Sequence, residues 1–159
     1  MTEVQLGVAT PEQIAGMTGL EIMQAAIAGD LPRAPISGAM KFHLTEAEEG
    51  VCVFEGYPDA SILNPLGTVH GGWVLTLIDS AAGCAAHTTL PPGVGYTTVE
   101  THANFTRAVM PDTGPYRCEG RVINRGRQII TAEATIMDAQ GRLVAHGGST
   151  LMVLQPRTG

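Results

Sequence analysis

Asn64-Pro65-Leu66-Gly67-Thr68-Val69-His70-Gly71-Gly72-Trp73-Val74-Leu75-Thr76-Leu77-Ile78-Asp79-Ser80-Ala81-Ala82-Gly83-Cys84-Ala85-Ala86-His87 is the stretch on which this 159-residue chain turns. After the glycine pair, nearly every residue up to Ala86 is apolar or small. A surface helix carries a polar stripe; this segment has almost none, so as a helix it must be buried nearly all round. It is too short and too interrupted to span a membrane. One residue breaks the pattern. Between Asp59 and Glu100, Asp79 is the only Asp, Glu, Lys or Arg. A lone carboxylate in a buried helix is costly unless it is paired, protonated or used, which makes Asp79 the leading functional candidate.

Outward from this stretch the chain reads as strands. Met40 to Thr45 and Val51 to Tyr57 alternate in polarity across a Glu-Ala-Glu-Glu-Gly turn, predicting a β-hairpin. Asp59 to Val69 is the loop that delivers the chain to the helix, which stops near Leu90-Pro91-Pro92-Gly93. Four strands follow, at Tyr96–Arg107, Tyr116–Ile123, Ile129–Met137 and Leu143–Leu154, with turn residues between them. Upstream, residues 1–9 read as a loose end. Thr10-Pro11-Glu12-Gln13 reads as a helix start, with Thr as N-cap. Short helical turns then run through Ile14, Met17, Ile22, Met23, Ala26 and Ile27, broken near Gly19 and ended by Gly29. Leu31 to Pro35 reads as an extended connector. A sheet curling around one apolar helix is the α+β arrangement that buries such a helix on most sides. Residues 1–159 form a single domain in this reading, with 1–38 an N-terminal helical extension and connector and 39–155 the core.

Composition limits the function classes. Hydrophobic residues make up 44% and charged ones 15%, a globular rather than a disordered balance. A net charge of -6 argues against a nucleic-acid binder working by overall attraction. Three widely spaced cysteines, Cys52, Cys84 and Cys118, fit neither a disulfide framework nor a zinc site and suit a reducing compartment. No basic–apolar–small succession opens the chain, so it is expected in the cytoplasm, with no membrane partner. His43, His102 and His146 lack metal-like spacing, and no metal is expected. Two apparent motifs carry no chemistry. His146-Gly147-Gly148 lies inside a strand, and Ser80 with His87 is two helical turns apart, too far for a nucleophile–base bond.

The residues around the helix start suggest a site. Gly71 and Gly72 sit where a loop enters a helix, so their N–H groups are expected to be unpaired at the positive dipole end, and glycine lets a ligand approach closely. That suits a carbonyl oxygen gaining negative charge, to which Asn64 adds a side-chain donor, while His70 fixes either the loop or the ligand. Asp79 would activate water as a base, or attack as a nucleophile. Plainer structural roles stand beside these: tight packing for the glycines, a turn cap for His70, a bonded buried carboxylate for Asp79.

Asn64 to Gly72, with Asp79 nine residues past His70, resembles the active-site signature of hotdog-fold acyl-CoA thioesterases, in the phenylacetate-pathway (PaaI-type) branch. The resemblance runs from about Gly19 to Leu154, through Tyr96-Thr97-Thr98-Val99-Glu100 and Arg125-Gly126-Arg127. It implies a hotdog domain that hydrolyses an aromatic or medium-chain acyl-CoA to free acid and coenzyme A, needing no cofactor. It also implies that Thr98 stands near the Asp79 carboxylate. Five of the eight arginines fall between Arg107 and Arg127, and Arg107, Arg125 and Arg127 are the ones expected to meet coenzyme A phosphates, together with Gly72 as a substrate contact. A non-catalytic acyl-CoA sensor on the same fold is the main rival, and an enoyl-CoA hydratase a lesser one. His70 and Asp79 are about 13 Å apart along a helix and on roughly opposite faces. If both act on one thioester, one comes from a second copy, in a homodimer or a homotetramer with shared sites.

Overall fold

In the computed structural model, which describes residues 5–156, the apolar stretch is a 17-residue helix wrapped by one six-stranded antiparallel sheet. The elements are α1 (Gly19–Ala28), α2 (Pro35–Met40), β1 (Phe42–Glu48), β2 (Val51–Gly56), α3 (Gly71–His87), β3 (Gly95–Phe105), β4 (Tyr116–Arg125), β5 (Ile129–Met137) and β6 (Leu143–Leu154). The strand order is β1-β2-β4-β5-β6-β3, so β1 and β3 are the free edges. The central helix α3 packs against all six strands. Its Trp73, Val74, Leu77, Ile78, Ala81, Ala82, Ala85 and Ala86 are buried, each large one contributing about 1.5–3 kcal/mol of apolar burial. Alanine and glycine let the sheet come close. A Cβ added to Gly120 on β4 would lie 2.2 Å from the Ala81 carbonyl oxygen. The Trp73 indole N–H, which would be costly if unpaired in this core, donates to the Met40 carbonyl at 2.7 Å.

The N-terminal third differs from the sequence reading. Only turns occupy residues 11–16, and α1 starts at Gly19. Its N-cap is Thr18, in a reciprocal capping box with Glu21, whereas Thr10 and Gln13 exchange the same pair of bonds around a turn that does not continue as a helix. Gly19 does not break the helix. It lets the helix start abut α3, since a Cβ there would sit 1.8 Å from the His87 carbonyl oxygen. Gly29 ends α1 in the left-handed conformation, as expected. Pro35 opens the short helix α2 where a connector was expected. Residues 1–4 of the expected loose end, and 157–159, lie outside the described residues. The rest of that end is tied down. Gly7 N–H donates to the Arg33 carbonyl at 2.8 Å, and Arg33 N–H to the Gln5 carbonyl at 2.9 Å.

Strands five and six match the reading, whereas β1 begins at Phe42, β3 ends at Phe105 and β4 continues to Arg125. One irregularity shapes the site. The β3–β6 register slips between Thr98 and Glu100, making Val99 the extra residue of a bulge. Simple alternation would group Thr98 with Glu100 and His102. The bulge resets the phase, so Thr98 and Thr101 both face α3. Among the described residues, no helix is long and apolar enough to cross a membrane.

Candidate active site

Asp79 sits midway along α3, half-buried, at the wall of a partly open cavity of about 370 Å³. Its Oδ1 accepts from the Thr98 hydroxyl at 2.9 Å and the Thr101 hydroxyl at 3.0 Å. Ser149 on β6 lies 3.5 Å from the same oxygen and 2.9 Å from the Thr101 hydroxyl. Oδ2 has no hydrogen-bond partner among the described residues. One oxygen is thus held by a hydroxyl cluster while the other is unpartnered. Thr98 stands where the resemblance implied. Thr101 and Ser149 were missed, because the bulge that turns Thr101 inward leaves no mark in the alternation pattern.

The cavity wall beyond Asp79 is mostly apolar: Ile22 and Met23 from α1, Phe42 and Leu44 from β1, Phe54 from β2. Cys84 and Tyr96 also line it. Burial, with the nearby Asp79 charge, pushes the Cys84 thiol up to about 12, so it is no thiolate nucleophile at neutral pH. Burial raises the Tyr96 phenol well above its ordinary value in the same way, so it too stays protonated at neutral pH. Burial, then the Arg33 charge, holds the His43 imidazole below its usual range.

The loop before α3 makes a separate site. Asn64 Oδ1 accepts from Leu66 N–H at 2.9 Å and Thr68 N–H at 3.3 Å, and its Nδ2 donates to the Thr68 hydroxyl at 2.7 Å. Asn64 therefore ties the loop together, with one amide hydrogen left over. Gly71 N–H has no acceptor among the described residues. Gly72 N–H is not free as expected, for it donates to His70 Nδ1 at 2.9 Å. That bond makes His70 the N-cap of α3 and leaves the ring proton on Nε2.

In a single chain these parts do not converge. Asn64, Gly71 and Arg107 line one surface pocket, His70 and Gly72 another, and Asp79 the cavity beside α1 and β1. Eight residues of helix separate Gly71 from Asp79, a rise of about 12 Å. The arginines divide as well. Arg117 and Arg121 pair with Glu119 at 3.0 and 2.9 Å. Arg107, Arg125 and Arg127 are exposed and join no ion pair among the described residues. Arg125 and Arg127 flank the β4–β5 turn, whereas Arg107 follows β3 at the opposite end of the sheet. No group of three His, Cys, Asp or Glu among the described residues is placed to hold a metal ion.

A model of the thioesterase superfamily matches residues 66–145. A candidate esterase of Saccharolobus solfataricus is 31% identical over 91 residues, covering 57% of this chain and 63% of that protein. The PaaI protein from the Escherichia coli phenylacetic acid degradation operon superposes with a TM-score of 0.70 at 20% identity, over 76% of this chain and 85% of that one. A hypothetical thioesterase protein of Streptococcus pneumoniae, solved with coenzyme A, does so with a TM-score of 0.66 at 24% identity, over 74% of this chain and 92% of its own. At these identities the two structures share the fold, the hotdog arrangement expected from the sequence.

Proposed function

The chain belongs to the thioesterase superfamily, and from that premise we propose that it hydrolyses acyl-CoA thioesters at a site shared between two copies. The observation that carries the reading is the Asp79 carboxylate, anchored through Oδ1 by Thr98 and Thr101 with Oδ2 unpartnered at an apolar cavity. Asp79 takes a proton from a water whose oxygen attacks the thioester carbon. The carbonyl oxygen becomes an oxyanion, stabilised by Gly71 N–H and the spare Asn64 amide hydrogen at the positive end of a neighbouring α3. The carbon–sulfur bond then breaks, and the departing thiolate takes the proton back from Asp79. His70 keeps the Gly71–Gly72 turn in shape. Direct attack by Asp79 through an anhydride uses the same geometry.

Two copies are needed because the oxyanion donors and Asp79 are far apart in one. A two-fold pairing with antiparallel α3 helices brings Gly71 of each copy towards Asp79 of the other. The free β3 edge, with Val99 60% and Phe105 53% exposed, is the natural place for it, since an uncovered edge invites pairing. Such a homodimer, alone or doubled into a tetramer, would act in the cytoplasm on an aromatic or medium-chain acyl-CoA, without metal or bound cofactor. Arg125 and Arg127 of one copy, with Arg107 supplied by the other, would bind the coenzyme A phosphates.

The test is thiol release from a panel of acyl-CoA esters by the wild type and by Asp79→Asn. The variant should keep binding while turnover falls by about 10²-fold or more. Near-normal turnover in the variant would overturn the role of Asp79. Binding without turnover of every ester would favour the sensor.

A further inference from the structure

The cavity beside Asp79 does not end in apolar wall. Arg33, Ser37, Phe42 and His43 line it and also line a second cavity of about 360 Å³, so the two adjoin at these residues. Arg33 is half-buried there and joins no ion pair among the described residues. The charged groups nearby have partners of their own. Lys41 pairs with Asp59, and Glu55 accepts from the Tyr57 hydroxyl at 2.7 Å. The His43 ring stacks on Tyr57 with centroids 5.8 Å apart, and the Arg33 charge helps to keep it neutral. A guanidinium without an ion-pair partner in a partly desolvated wall is costly, and a carboxylate matches its fork of donors. Its backbone holds it in place, since Arg33 bridges to the segment around Leu6.

We infer that this cavity takes an acyl chain ending in a carboxylate, with the thioester at Asp79, the methylenes along Ile22, Met23 and Phe54, and the far carboxylate on Arg33. This rests on the acyl-CoA reading above and narrows it to ω-carboxyacyl-CoA esters. It also gives the N-terminal segment a function, the selection of the acyl group.

The experiment measures calorimetric binding of adipoyl-CoA and hexanoyl-CoA, equal in chain length, and of free coenzyme A to full-length Asp79→Asn protein. The same titrations follow with Arg33→Gln or Arg33→Lys added, and wild-type turnover of both esters is measured in parallel. Adipoyl-CoA should bind at least about 10-fold more tightly, the scale of a charge-assisted pair. Arg33→Gln should bring the ratio close to one, and Arg33→Lys should retain part of it. Equal or absent binding of the two esters overturns the inference, as does a ratio that Arg33→Gln leaves unchanged. An equal weakening of both esters and of free coenzyme A by Arg33→Gln would assign Arg33 to the phosphates and overturn it too. If the wild type hydrolyses neither ester while the Arg33-dependent preference persists, the hydrolase reading falls and the carboxylate selection stands. If it hydrolyses hexanoyl-CoA as well as adipoyl-CoA and binds them alike, only the carboxylate selection falls.

Discussion

Replacing Gly120 by alanine should damage stability and catalysis together. The new Cβ would lie 2.2 Å from the Ala81 carbonyl oxygen, 2.3 Å from its carbon and 2.8 Å from the Ala82 nitrogen. All three are backbone atoms of α3, so no side-chain rotation relieves the contact. A carbon–oxygen approach is normally no closer than about 3.3 Å, so helix and strand must separate by roughly 1 Å. Overpacking of this kind costs about 1–3 kcal/mol. Asp79 is two residues before Ala81 on the same rigid helix. A shift of about 1 Å is enough to stretch its 2.9 and 3.0 Å bonds to Thr98 and Thr101 past hydrogen-bonding range, and misplacement on that scale costs about 10²-fold in rate. Urea unfolding followed by circular dichroism gives the first quantity, and thiol release the second. Gly95→Ala is the control, because a Cβ there meets nothing within 4 Å, and it should stay within about 0.5 kcal/mol of wild type. Wild-type stability and turnover in Gly120→Ala would refute the packing argument. A large rate loss in Gly95→Ala would show that the assay responds to strand glycines in general.

Arg125→Ala combined with Arg127→Ala should raise the Michaelis constant for acyl-CoA more than it lowers turnover, because phosphate contacts are remote from the reacting carbon. Steady-state kinetics with full-length coenzyme A esters checks this, and unchanged constants would leave the pair as solvated surface. Burial holds the His87 imidazole below its ordinary value of 6.5, so the unfolded chain takes up a proton that the native state resists. Stability should therefore be fully present above about pH 6.5 and fall as pH drops towards the lowered native value. In His87→Gln the urea midpoint should vary less with pH over that window, and the same slope as wild type would place the proton uptake elsewhere.

The central helix and the strands were legible because their burial is written as long apolar runs and period-two alternation. Asp79 was legible for the opposite reason, as the single charge in a stretch that cannot afford one. Less visible was whatever depends on a local change of phase or on a distant contact. The bulge at Val99 brings Thr101 beside Thr98, and nothing in the letters marks it. Gly19 looks like a helix breaker until the His87 carbonyl appears above it. Asn64 and His70 carry turn-making chemistry as readily as catalytic chemistry, and in the single chain both display the turn-making kind. Arg33 sat in an apparent connector, and only folding sets it on the wall of the Asp79 cavity.

The central claim is that Asp79 of one copy works with Asn64 and Gly71 of another. Two inactive variants, Asn64→Ala/His70→Ala and Asp79→Asn, can be co-expressed with different tags and the mixed dimers purified through both. Each mixed dimer would hold one site with both halves intact and one with neither, so it should recover about half of wild-type activity per dimer. Mixed dimers as inactive as either parent would contradict a shared site.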